Sequence, residues 1–148
     1  MFSMKFEGGD DLEKALMDLP HTTAKASARR MLKKGGQIIA EAGAANAPER
    51  EGDLKASYVV GTRLTKSQRR ATRGAAKDDV QVFVGPGPRG YEAGEQTEFG
   101  NQHQAAEPHL RPAFNSKAQD VLNLIAQEWW ADIAKAVARR ARKLAKGR

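Results

Sequence analysis

The sequence predicts an α+β subunit, a small antiparallel sheet flanked by two long helices. Three observations carry that prediction. Two apolar stripes at helical spacing, within residues 22–45 and from 112 to about 145, bracket the middle of the chain. Between them lie two short β-branched runs, residues 57–61 and 80–84. A basic stretch, residues 62–77, separates the runs and is nearly free of apolar residues, which predicts a long exposed connector between paired strands.

Taken in order, Phe2, Met4 and Phe6 alternate with Ser3 and Lys5, the period of a short strand, and Gly8-Gly9 breaks it. Asp10 offers an N-cap, with Glu13 three residues on as in a capping box. Leu12, Leu16 and Leu19 make one apolar face of a short helix that Pro20 ends. In the first long helix Ala24, Ala28, Met31, Leu32, Gly35, Ile38, Ile39 and Ala42 recur at offsets of three and four. Gly35-Gly36 in its middle costs about 1 kcal/mol per residue against Ala. Either another backbone approaches closely there or the helix kinks.

Residues 47–54 form a polar turn punctuated by Pro48 and Gly52. Ser57-Tyr58-Val59-Val60-Gly61 and Val80-Gln81-Val82-Phe83-Val84 read as strands that pair antiparallel. Residues 85–100 are rich in Gly and read as irregular, with Gln96-Thr97-Glu98-Phe99 as an edge strand. Pro112 opens the last helix. Its stripe of Ala118, Val121, Leu122, Ile125, Trp129, Ile133, Val137 and Leu144 outgrows any core a domain this small can offer. Of the adjacent tryptophans, Trp129 fits that stripe. Trp130 is either a protein–protein anchor or part of a wider core face.

At 148 residues the chain suits one domain, residues 1–134, with residues 135–148 as a basic helical extension. The net charge of +7 is segregated. From Lys135 onward there are seven bases and no acid, so 18 acids meet 25 − 7 = 18 bases in the rest. A second acid-free run holds Arg63, Lys66, Arg69, Arg70, Arg73 and Lys77. With Arg139, Arg140, Arg142, Lys143 and Lys146 these are the candidate contacts to DNA phosphates or to an acidic protein partner. Sequence-specific DNA reading is not expected, for no recognition-helix or zinc-finger pattern is present.

The absence of cysteine excludes disulfides, thiolate metal sites and a Cys nucleophile. Residues 1–7 lack the n- and h-regions of a signal peptide, and no apolar run nears the ~18 residues a membrane span needs, so a soluble protein made in the cytoplasm is expected. Gly85-Pro86-Gly87-Pro88-Arg89-Gly90 matches a dinucleotide fingerprint, but two prolines lack N–H and Tyr91-Glu92-Ala93-Gly94 does not open an amphipathic helix; it reads as a turn. His103, Glu107 and His109 share no helical face and read as exposed loop residues rather than metal ligands. Glu92, Glu95 and Glu98 read as exposed carboxylates of ordinary acidity. No cofactor, metal or catalytic residue is expected.

In their order, five segments resemble the tail-component family of long-tailed phages, the small head–tail joining or tail-completion proteins. They are Phe6-Glu7-Gly8-Gly9-Asp10-Asp11-Leu12, followed by Leu16, Leu19 and Pro20; Ala47-Pro48-Glu49-Arg50-Glu51-Gly52-Asp53-Leu54-Lys55-Ala56-Ser57; Val82-Phe83-Val84-Gly85; Glu98-Phe99-Gly100; and Pro108-His109-Leu110-Arg111-Pro112-Ala113-Phe114. Glu51 and Asn101 stand where the family usually has Thr, and His109 where it has Phe.

The resemblance implies a non-enzymatic virion protein, assembled in the host cytoplasm into a closed ring, a hexamer, at the phage neck. Its implied partners are further copies of itself, the head-side connector or stopper, the tail terminator or tail tube, and genomic DNA contacted without sequence preference; no membrane is implied. The candidate subunit-interface residues are Gly35, Gly36, Trp130, Phe99, Leu110 and Arg111. A free-standing DNA-binding protein and a metal-dependent nuclease built on Glu98 and His109 are the alternatives. The first predicts steeply salt-dependent binding, and the second predicts metal-dependent activity.

Overall fold

The fold was described from a computed structural model, which describes residues 9–49, 53–71 and 80–147. The period-two segment of Phe2, Met4 and Phe6 lies outside them, as do Arg73 and Lys77. The elements follow as α1 (Gly9–Met17), α2 (His21–Asn46), α3 (Asp53–Ala56), β1 (Tyr58–Gly61), α4 (Lys66–Ala71), β2 (Phe83–Pro86), α5 (Tyr91–Phe99) and α6 (Leu110–Ala145). The architecture is a mostly helical α+β one, with a two-stranded antiparallel sheet packed against the long helices. α1 begins one residue earlier than the expected cap, so Asp10 and Asp11 sit in its first turn, where carboxylates favour the helix dipole.

α2 is the centre of the molecule. It packs along α6 on one side and against both strands on another. The pair with α6 is antiparallel. Asn46 meets His109 near one end (Nδ2 to carbonyl O, 3.2 Å), and Ser27 meets Asp132 near the other. The two glycines resolve the open question about the middle of α2. A Cβ on Gly35 would lie 2.6 Å from Val121 Cγ1 of α6, and one on Gly36 would lie 2.9 Å from Val60 and 3.0 Å from Val84 of the sheet. Close approach is therefore the reason for both, but valine side chains approach rather than another backbone. Gly35 and Gly36 are buried against their own chain, so the expectation that they face a neighbouring subunit is corrected.

β1 and β2 pair in the register Tyr58 to Pro86 through Gly61 to Phe83. β2 thus starts three residues later than expected and runs on through Gly85-Pro86, which read as a turn in the sequence. Its Gly85 and Pro86 continue the pairing because they match the first two residues of β1, beyond which Gly87 N donates to Ser57 O at 2.7 Å. The connector is not wholly a loop. α4 forms within it because Thr65 and Gln68 cap each other: Gln68 N donates to Thr65 Oγ1 at 3.3 Å, and Thr65 N donates to Gln68 Oε1 at 3.0 Å.

The expected edge strand at residues 96–99 is likewise a helix, α5. Its Gly94 lets the turn settle on the sheet, since a Cβ there would meet Pro86 Cγ at 2.5 Å and Leu54 Cδ1 at 3.1 Å. α5 ends at Gly100 (φ 73°), whose N–H reaches Gln96 O at 2.7 Å and whose missing side chain leaves room for Gln104 and Ala106.

α6 has 36 residues and α2 has 26, lengths of about 54 and 39 Å at the usual rise. Along the paired stretch Ile125, Ile133 and Ala136 are buried, and Leu12 and Leu19 from the α1 segment complete a cluster with Ile133 and Ala136. α6 runs on past the start of α2, and Val137 and Leu144, expected in the stripe, are exposed there. The helix runs unbroken through residues 134 and 135.

Gly43 gives a direct test of the packing. A Cβ there would stand 2.5–2.8 Å from two ring carbons and the hydroxyl oxygen of Tyr58. Ala normally gains about 1 kcal/mol over Gly in a helix, yet Gly43→Ala is expected to lower stability by about 1–3 kcal/mol, as overpacking does. Gly61→Ala, with no atom within 4 Å of its Cβ, is expected to stay within about 0.5 kcal/mol. Urea unfolding followed by circular dichroism checks both.

Candidate functional site

Two places hold the chain's non-routine chemistry: a buried polar node where α5 meets the start of α6, and the exposed surfaces at the two ends of the α2–α6 pair.

The node begins with a general demand. The first N–H groups of a helix have no partner within it. In α6 these belong to His109, Leu110 and Arg111, and the next residue, Pro112, has none to offer. The Glu98 carboxylate takes all three: His109 N at 2.7 Å and Leu110 N at 2.8 Å reach Oε2, and Arg111 N at 3.1 Å reaches Oε1. Arg111 Nε adds a fourth bond at 2.9 Å, while its terminal nitrogen donates to Glu98 O at 3.0 Å.

Glu98 is only 5% exposed. Burial alone would raise its pKa, but the three backbone donors and the Arg111 side chain outweigh it and hold the carboxyl at about 2. The expectation of an exposed carboxylate of ordinary acidity is corrected.

His109 is corrected too. It is 1% exposed, not a loop surface residue, and lies at the N-cap of α6. Its Nε2 donates to the Gly94 carbonyl at 3.2 Å, which can only accept, and its Nδ1 is hydrogen-bonded to the Tyr58 hydroxyl. Burial, and secondarily the Glu98 charge, push the Tyr58 phenol up. Glu98, His109 and Gly94 are all buried and hydrogen-bonded to one another or to the backbone, while the Arg111 side chain that closes the node is exposed. Among the described residues no three His, Asp or Glu side chains converge as a metal site.

A second network ties α2 to α6. Arg30 forks onto Asp132 (Nε to Oδ1 3.2 Å, Nη2 to Oδ2 2.7 Å), and Ser27 also donates to Asp132 while accepting from Trp129 Nε1 at 3.0 Å. The Arg30 hydrogen bonds, ahead of the opposing desolvation and the Ser27 bond, lower the Asp132 pKa. Trp129 is therefore half-buried and bonded. Trp130, one residue on, is 40% exposed.

The fingerprint-like Gly85-to-Gly90 stretch is followed by a helix after all, which corrects one ground for dismissing it. The remaining ground stands in the geometry. Gly87 N and Gly90 N already donate, to Ser57 O (2.7 Å) and Gly87 O (3.0 Å), and both glycines sit against Ser57.

The surface candidates separate by location. Arg63, Lys66, Arg69 and Arg70 are exposed in the connector and α4; Arg139, Arg140, Arg142, Lys143 and Lys146 are exposed on the end of α6. β1 runs from the level of Gly43 toward that of Gly36, so the connector leaves the sheet toward the same end of α2 as the α6 C-terminus. Arg140 is partly engaged, donating to Asp18 O at 2.8 Å. At the opposite end Phe99 (66% exposed) lies 5.1 Å beneath the Arg111 guanidinium, and Phe114 is exposed beside them in sequence. Leu110 is half-buried. An open apolar groove of about 600 Å³ lies among Leu12, Leu16, Met17, Ala24 and Trp129. No helix among the described residues is long and apolar enough to cross a membrane.

The described residues form a helix-paired α+β subunit whose buried polar groups hold its own backbone. Residues 10–100 match the family described as "Bacteriophage HK97-gp10, putative tail-component", and the chain belongs to that family of phage tail components. The match stops short of Pro108 to Phe114, the last of the resembling segments. Among curated proteins and among solved structures nothing matches the chain.

The node carries a pH signature. Glu98 has its pKa depressed from 4.5 to about 2 on folding. Its contribution is therefore fully present above pH 4.5 and lost as the pH falls toward 2. The depression corresponds to about 3 kcal/mol at neutral pH. Glu98→Gln is expected to lose about that much stability at pH 7 and to flatten the acid limb between pH 4.5 and 2 relative to the parent protein. Unfolding free energies measured across that range check it; parallel curves for the two proteins would refute the role.

Proposed function

We propose that this tail component is a structural, non-enzymatic virion protein that forms a closed ring at the head–tail junction of a long-tailed phage, joining the connector to the tail tube and lining the path of the DNA. Beyond family membership, one observation supports the reading: the subunit is polarised. Arg63 at the exit of β1 and the acid-free end of α6 lie toward one end, while Phe99, Arg111 and Phe114 are exposed at the other. A ring stacked between two different neighbours requires two unlike faces, and the face toward the lumen meets a polyanion. The seven bases after residue 134 suit that contact, since phosphate neutralisation is blind to sequence.

Gold-labelled antibody on intact particles tests the reading. Label confined to the neck is the expected result. Protein found only in the lysate, with none on particles, would replace it by the free-standing DNA-binding alternative. Removal of residues 138–148 is expected to leave the helical signal per residue and the unfolding midpoint near those of the intact chain, because Ile133 and Ala136 remain in the core, while lysates of the truncated phage accumulate unjoined heads and tails. Loss of the folded circular-dichroism spectrum on truncation would show instead that the tail is needed by the domain itself.

A further inference from the structure

The corner where α1 meets the α2–α6 pair is open on one side. Leu12 and Leu19 are buried there, yet Leu16, Ala24 and Trp129 are only half-buried and Met17 is 74% exposed. Between them lies the groove of about 600 Å³, whose titratable lining is Glu13 and His21 alone. A groove of that character favours apolar side chains and disfavours a run of like charges.

Which apolar segment covers it is a question of tether. Phe99 and Phe114 stand at the far end of the helix pair. Val137 and Leu144 are fixed on the same continuous helix as Trp129, about 12 and 22 Å away along its axis. Phe2, Met4 and Phe6 instead directly precede α1, which is the wall of the groove. Their alternation puts three apolar side chains on one side and Ser3 and Lys5 on the other. Residues 1–8 carry Lys5 against Glu7, 1 − 1 = 0, so the segment brings no net charge to an apolar lining.

The dimensions agree. Residues 1–8 lie outside the described residues and join them at Gly9, the first residue of α1. Gly9 to Met17, on the rim of the groove, is about 12 Å of helix. Phe2 to Phe6 in extended form covers about 13 Å, and Phe2 to Gly9 reaches about 23 Å. A segment reversed at Gly8-Gly9 therefore spans the groove, and two adjacent glycines supply the backbone freedom that a reversal beside a helix start requires. Over so short a tether the effective concentration is on the order of millimolar, well above that of a second copy at micromolar concentration.

We propose that Phe2, Met4 and Phe6 fold back along α1 of their own chain and fill this groove, making residues 1–8 a strap over the corner of α1, α2 and α6. The strap belongs to the single subunit and does not depend on the ring reading.

The full-length chain has two tryptophans and no cysteine, which gives two independent reporters. With Trp130→Phe in place, Trp129 is the one tryptophan left, and it lines the groove. In that background Phe2→Asp with Phe6→Asp is expected to raise acrylamide quenching of Trp129 at least twofold and to shift its emission to the red. Ser3→Asp, on the other side of the alternation, is expected to change neither. The helical circular-dichroism signal is expected to persist in each, since Leu12, Leu19, Ile133 and Ala136 form the core beneath. Separately, Phe2→Cys with Met17→Cys in one chain is expected to close a disulfide within the monomer, at a rate independent of protein concentration.

Quenching left unchanged by the Asp pair would overturn the strap. So would equal effects of Ser3→Asp and the Asp pair, which would remove the docked face. A disulfide that forms only between chains, faster at higher concentration, would assign the groove to a second copy and also overturn it.

Discussion

One carboxylate sets the entry of the longest helix. Glu98 arrives from the last turn of α5 and accepts the N–H groups of His109, Leu110 and Arg111, and Pro112 removes the next donor from the count. A helix start buried without such partners would leave several desolvated donors, each costing about 1–3 kcal/mol. The capping group comes from eleven residues upstream rather than from the N-cap itself, so it does more than terminate a helix. It locks α5 to α6 and, through His109, to Tyr58 of the sheet and to Asn46 at the end of α2. Four elements share one junction. The place where His stands instead of the family's usual Phe is part of that junction: the His ring fills a buried site as an aromatic would, and its two nitrogens are both bonded.

From that junction α2 and α6 run together and are held at intervals. The glycines of α2 are spaced along it like notches, Gly35 for α6, Gly36 for the sheet and Gly43 for the Tyr58 ring. Each sacrifices helix propensity for distance. Farther along, the contact changes character: Arg30, Ser27 and Trp129 converge on Asp132, and Lys34 pairs with Glu128. Few large side chains are fully buried in this molecule, and the core rests on small and aliphatic residues such as Ala40, Ala113 and Ala136. Geometry of approach, more than bulk of burial, defines the packing.

This division explains what could be read in advance. Periodicity alone delivered α2, α6 and β1 nearly to their ends, because their stripes are long and their partners are local to the pattern. The connector helix α4 is written in the sequence as Thr65-x-x-Gln68, a capping box that periodicity does not mark because the segment lacks an apolar face. α5 and the burial of Glu98 and His109 were not legible from local rules. Two glycines flank or sit inside α5 for reasons that exist only once Pro86 and Leu54 are in place. A Glu in a polar segment looks solvated until the orphan donors of a helix eleven residues away are counted. Only the resemblance linked Glu98-Phe99-Gly100 with Pro108 to Phe114, and the geometry supplies its reason: the two segments are the two halves of one hydrogen-bonded cap.

The charge segregation follows from the same construction. α6 outruns α2 by ten residues, so its last turns have no obligation to the core and are free to diverge in composition face by face. Bases gather where the helix would otherwise have faced α2, and the apolar stripe persists on a side that α2 never covered. Had the overhang served only solubility, both faces would be expected to mix charge of either sign. A clean separation costs nothing in folding and leaves one rigid rod with a basic side and an apolar side. A helix projecting about 15 Å beyond its partner carries both sides clear of the core, so the packing against α2 constrains neither.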